Sequence, residues 1–151
     1  MADSSARTRP RRVAAPPVEW AVMTERASTE PSVFTRILRG EIPGEVVLST
    51  DEVFVLQDIA PKAPLHLLVI PKTDAYRDVA ELAEGDPKLL AHMVEVARTV
   101  ATQAGYDSFR LVFNTGLGAG QTVFHVHAHV LGGDASEDTM TAGMAGEGRD
   151  A

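Results

Sequence analysis

The run Phe124-His125-Val126-His127-Ala128-His129-Val130 alternates apolar residues with histidine at a period of two. Only an extended strand puts every second side chain on one face. The run therefore predicts a strand over residues 123–131, with Phe124, Val126, Ala128 and Val130 against a core and His125, His127 and His129 together on the other face. Same-face neighbours along a strand are roughly 6.6–6.8 Å apart, close enough for three imidazoles to line one groove. A single histidine would be read as structural, whereas three in alternation ask for a chemical reason.

The rest of the chain supplies a domain to carry that strand. Ser32 can cap a short helix that runs to Arg39, where Gly40 stops it, and the chain turns at Pro43-Gly44. Apolar runs at residues 45–49, 52–58 and 65–70 read as three strands, the third closed by Pro71. Asp86-Pro87 is an N-cap followed by a first helical residue, and Leu89, Leu90, Met93, Ala97, Val100, Ala101 and Ala104 then recur at helical spacing as far as Gly105. Two more strands, 109–114 and 123–131, complete an α+β fold: an antiparallel sheet of about five strands with one long and one short helix. Residues 1–31 and 134–151 lack any such periodicity. They are expected to be a disordered N-terminal extension and an acidic flexible C-terminal tail around one domain, residues 32–133.

Composition narrows the function. The net charge of −7 argues against a nucleic-acid backbone as main partner. No apolar stretch approaches the ~20 residues of a membrane span, so no membrane partner is expected. The chain has no cysteine, so disulfides and thiolate metal sites are unavailable, and a cytoplasmic setting is expected.

A row of imidazoles suits either metal ligation or a nucleophilic imidazole flanked by others that hold a phosphate. Before the row lies Asn114-Thr115-Gly116-Leu117-Gly118-Ala119-Gly120-Gln121-Thr122. Its glycines let backbone N–H groups approach an anion, and its Asn, Gln and Thr side chains can donate to phosphate oxygens. The combination favours phosphate over metal. His92, mid-helix and outside every motif, reads as a spectator.

The segment GAGQTVFHVHAHVLGG closely resembles the signature of the histidine triad (HIT) family, and its Gly-Gly ending is similar to the Hint branch. The upstream FTRILRGEIPGEVVLSTDEVFVLQDIAPKAPLHLLVIPK is similar to the same branch in order and spacing, so that the resemblance spans about residues 33–133. It implies a homodimer, without cofactor or bound metal, that cleaves purine nucleotides at the α-phosphorus through a nucleotidyl-histidine intermediate. His127 would be the nucleophile, its second nitrogen held by the carbonyl of His125. His129 would contact phosphate, and His66 would be a fourth catalytic histidine. Asn114, Gly120, Gln121 and Thr122 would bind phosphate or leaving group. Asp58 would accept the ribose hydroxyls, although by itself it also reads as a strand-end turn former. Val33, Phe34, Ile37, Ile42, Leu56 and Ile59, otherwise simply core, would form the base pocket.

The implied activity is that of a nucleoside phosphoramidase, with a dinucleoside polyphosphate hydrolase, a nucleotide-binding module of little turnover and a metal-dependent hydrolase as rivals. Three departures stand out. Ser32-Val33-Phe34-Thr35 replaces the cysteines that open the domain in many relatives, which excludes a zinc site of that kind. Thr122 stands where serine is usual. After Gly132-Gly133 an acidic stretch replaces the expected basic residue and Trp-Pro-Pro ending, which bears on leaving-group preference.

Overall fold

Pro71 decides where the central strand pair must end. A computed structural model describes residues 30–133, so the two expected tails lie almost wholly outside the described residues. Within it, α1 (Val33–Leu38) leads into β1 (Val46–Ser49), β2 (Val53–Gln57) and β3 (Leu65–Pro71). Two helices follow, α2 (Val79–Gly85) and α3 (Pro87–Gln103), and then β4 (Arg110–Val112), a single 3-10 turn (Leu117–Ala119) and β5 (Ala128–Gly132). The five strands form one sheet in the order β1-β2-β3-β5-β4, every pair antiparallel. The expected α+β class and antiparallel five-stranded sheet are therefore present.

The expected strand over 123–131 is corrected. The ladder between β3 and β5 runs only from Leu65↔Gly132 to Val69↔Ala128, and residues 123–125 form a bend. Pro71 has no N–H with which to continue the ladder. Its carbonyl is taken by the His125 ring, at 2.7 Å, and the Val126 N–H turns to the carbonyl of Tyr76 at 3.0 Å. His129 alone of the triad lies in a strand. The expected strand over 109–114 likewise shrinks to three residues.

One face of the sheet is covered by helices. Val53, Val55, Leu65, Leu67, Val69, Ala128 and Val130 pack with Leu89, Met93, Val96, Ala97, Val100 and Ala101 of α3. The periodicity of α3 located this stripe, although Val96 joins it and Ala104 is exposed. The helix starts where Asp86 accepts from the Leu89 N–H and stops before Gly105, whose φ of +90° suits glycine. The short α2 is one helix more than expected. Asp78 caps it by accepting from the Glu81 N–H, and Leu82 is its only fully buried residue, too little apolar repetition to mark a helix in the sequence.

Among the described residues the other face is only partly covered. Phe34 of α1 packs there on Phe54, Leu56, Leu68 and Ile70, with Ile37, Leu38 and Val123 at the margin. His66 and Leu68 share this face by alternation, and His129, opposite Leu68, joins them. The histidines thus border an apolar floor. Among the described residues no helix is long and apolar enough to cross a membrane.

Met93 is fully buried between α3 and the sheet. Truncation to alanine is expected to cost about 2–5 kcal/mol, through lost burial and the cavity left behind. For a domain of this size that lowers Tm by on the order of 10 °C or more, measurable by thermal or urea unfolding.

Candidate active site

Each of the four histidines has a partner that determines which ring nitrogen carries the proton. The carbonyl of His125 lies 2.8 Å from His127 Nδ1 and can only accept, so His127 donates from Nδ1. A neutral His127 then has its lone pair on Nε2. The carbonyl of Pro71 makes His125 a donor at Nε2 by the same argument, and His125 Nδ1 lies 2.5 Å from Ser32 Oγ. The Lys62 backbone N–H donates to His66 Nδ1 at 3.0 Å, which leaves the His66 proton on Nε2. That nitrogen is 2.9 Å from His129 Nδ1 and donates to it, so a neutral His129 carries its own proton on Nε2. A lone pair on one ring and an N–H on the next thus stand side by side, with the His127 and His129 centroids 5.2 Å apart.

Burial disfavours the charged form of the three triad rings. It pushes the pKa of His127 down against the opposing effect of its bond to the His125 carbonyl, and it lowers His125 likewise. His129 is lowered to about 4, first by burial and then by repulsion from charged His127 and His66, with Asp58 pulling the other way. Phe34 supplies part of the dry surroundings, its ring 4.9 Å from His127 at an interplanar angle of 65°.

Asp58 closes the site at the end of β2. One carboxylate oxygen accepts from the Ala60 N–H at 2.7 Å, the turn-forming role, while the other lies 3.4 Å from His66 Nε2. Asp58, His66 and His129 are close enough to share a metal ion. The donor chemistry does not favour one. An ion on His66 Nε2 would force the ring proton onto Nδ1, against the N–H of Lys62 that already points there.

Of the expected base-pocket residues, Phe34, Ile37 and Leu56 come together on the apolar floor. Val33 is 38% exposed, Ile42 is half-buried, and Ile59, at 94% exposed, stands outside the cluster. In the loop before the triad Asn114 is half-buried and Thr122 exposed. The amide of Gln121, expected to meet phosphate, braces the loop in this structure. Its Nε2 donates to the carbonyls of Arg77 at 2.6 Å and Val123 at 3.0 Å, and its Oε1 accepts from the Gly116 N–H at 2.9 Å. The Gly120 N–H is likewise used within the loop, on the Leu117 carbonyl, and what Gly120 contributes is a φ of +90°. Sequence reasoning missed the carbonyls of Pro71 and Arg77 and the N–H of Lys62, because a backbone partner leaves no trace in residue type.

A family described as "Scavenger mRNA decapping enzyme C-term binding" matches residues 31–145. An uncharacterized HIT-like protein of Synechococcus elongatus is 40% identical over 109 residues, 70% of this chain and 92% of that one. The chain belongs to the histidine triad family. The purine nucleoside phosphoramidase of Escherichia coli K12 is 39% identical over 106 residues, covering 69% of this chain and 88% of that protein. Among solved structures, a HIT family hydrolase from Clostridium thermocellum superposes with a TM-score of 0.67 at 38% identity, covering 71% and 95% of the two chains. The resemblance drawn from the sequence is therefore borne out, and the alternating histidines are the triad for which the family is named.

The lowered pKa of His129 ties stability to pH. The folded value lies below the ordinary 6.5, so the unfolded chain binds the extra proton first as pH falls. The stabilising contribution is complete above pH 6.5 and is lost as pH drops toward about 4. Tm is expected to fall over that window, and less steeply in His129→Gln, whose side chain does not titrate. Equal slopes for the two proteins would show that His129 does not carry the effect.

Proposed function

We propose that this protein is a nucleotide hydrolase acting at the α-phosphorus of purine nucleotides, a nucleoside phosphoramidase, with His127 as nucleophile. The observation that carries this reading is the 2.8 Å bond from His127 Nδ1 to the His125 carbonyl, which leaves a lone pair on Nε2 of a neutral ring. Membership of the histidine triad family and 39% identity to a purine nucleoside phosphoramidase support it.

In the first step the Nε2 pair of His127 forms a bond to the α-phosphorus while the phosphorus–nitrogen bond to the leaving amine breaks. His127 becomes positively charged, and the His125 carbonyl stabilises that charge through the Nδ1–H. The departing amine accepts a hydrogen bond from the neighbouring His129 Nε2–H and takes its proton from solvent water. In the second step water attacks the same phosphorus and its proton passes to solvent, while the electron pair returns to His127 Nε2 as the mononucleotide leaves. No step in this scheme is routed through a metal ion.

Asn114, Thr122 and His129 are assigned to the phosphate oxygens. Phe34, Ile37 and Leu56 are assigned to the base, and the carboxylate of Asp58 to the ribose hydroxyls. A homodimer belongs to the same reading, supported by β4, which among the described residues is paired only to β5. Sedimentation equilibrium tests it, and a monomer at working concentration overturns it.

Adenosine and guanosine phosphoramidates, offered beside dinucleoside polyphosphates and with a chelator present, test the substrate class. The phosphoramidates are expected to be turned over faster, with label from an α-phosphate appearing transiently on the protein. His127→Ala is expected to lower kcat by at least ~10⁴-fold, about 5.5 kcal/mol of barrier, while nucleotide binding persists. A variant that keeps a tenth of the activity would exclude His127 as the nucleophile.

A further inference from the structure

Ser32 has one hydroxyl and three partners. Its Oγ accepts the Thr35 backbone N–H at 3.2 Å, as the N-cap of α1, and lies 3.3 Å from Thr35 Oγ1 and 2.5 Å from His125 Nδ1. The capping role is legible from the sequence; the contact with His125, 93 positions away, is not. The Pro71 carbonyl holds the His125 proton on Nε2, so Nδ1 of this fully buried ring presents a lone pair that needs a donor. The Ser32 O–H is that donor. Its two lone pairs then receive the Thr35 N–H and Thr35 O–H, so the hydroxyl is saturated: one proton given and two accepted.

The consequence runs through the backbone. The ring of His125 is held at both nitrogens, which orients the residue whose carbonyl takes the His127 Nδ1–H. The same hydroxyl ties the start of α1 to the triad, and Phe34 of α1 contacts the rings of both His125 and His127, with centroids 5.9 and 4.9 Å away. We propose that Ser32 is a positioning residue for the nucleophile: its O–H donates to His125 Nδ1, locks that ring as the Nε2–H tautomer, and through the His125 carbonyl keeps the lone pair of His127 on Nε2. The role in catalysis rests on the proposed function. The tautomer lock does not.

The test therefore has two readouts. Imidazole nitrogen-15 spectra of the full-length protein without substrate report the tautomers, and steady-state turnover of an adenosine phosphoramidate reports their effect. The wild type is expected to show opposite tautomers, His125 protonated at Nε2 and His127 at Nδ1. Ser32→Ala is expected to lose this single pattern and to lower kcat about tenfold or more with KM within about threefold, whereas Ser32→Thr, which restores the hydroxyl, keeps the pattern and at least about a third of kcat. A helix merely loosened by loss of its cap would raise KM and spare kcat. That outcome, or wild-type tautomers in Ser32→Ala, overturns the proposal.

Should Ser32→Ala fail to fold, Ser32→Asp carries the test, because aspartate still caps the helix but presents His125 with an acceptor. The His125 ring is then expected to take a second proton and kcat to fall about tenfold or more; an unchanged ring, or kcat within about twofold of wild type, overturns the proposal. Paired tautomers that depend on Ser32 in a protein that turns over no nucleotide amidate would sink the proposed function and leave the lock standing.

Discussion

An imidazole with one proton has one lone pair, and the bond from His127 Nδ1 to the His125 carbonyl settles on which nitrogen it lies. The rest of the site depends on that carbonyl being where it is. In a regular strand it would be committed to the sheet, either pointing to a neighbouring N–H or flanking one. Here the ladder has already stopped, because β3 ends on a proline with no N–H to give, and residues 123–125 bend away. The bend frees a backbone acceptor within reach of the next histidine but one, and two side-chain bonds on the His125 ring keep it from relaxing.

The unequal faces of the sheet supply the second condition. The α3 side is sealed with Met93, Ala97 and Val100 and is a conventional core. Among the described residues the other side receives only α1, whose six residues cover Phe54, Leu56, Leu68 and Ile70 and reach the triad through Phe34. The histidines therefore sit at a boundary, dry enough that burial disfavours the imidazolium and open enough that His127 and His129 are not sealed in the core. A second helix over this face would have left no room for a substrate. Without α1, burial would no longer disfavour the imidazolium of His127, and a proton would block the proposed nucleophile under mildly acidic conditions.

Much of this was legible in the sequence, for reasons that can be named. The period of two from Ala128 to Val130, the spacing of Leu89, Met93, Ala97 and Val100, and the Asp86-Pro87 start of α3 are local patterns that the fold keeps. The active-site residues could be chosen because the motif resembles a family, and three of the six proposed base contacts do meet on one floor. What was hidden is long-range or backbone-mediated. Gln121 has the chemistry of a phosphate donor, but two carbonyls and an N–H claim its amide, one of them 44 positions away. Val79–Gly85 is too short to display a helical face. Nothing in the letters His125 or Ser32 announces that they touch.

Val126, Ala128 and Val130 share the α3 side, so the three histidines share the other, and it is the cover that α1 gives them that makes their environments differ. From His127 to His129 the two-residue period survives well enough for the rings to lie 5.2 Å apart, one offering a lone pair and the other an N–H. One step earlier His125 lies beneath the start of α1, fully buried, where its ring bonds to the Pro71 carbonyl and Ser32. Covering it costs a buried imidazole, which is tolerable only because both nitrogens find partners and the ring stays neutral. The repeated letter therefore meets different surroundings: the cap of α1 and the carbonyl of the proline that ends β3 close over the first histidine and leave the other two at the margin.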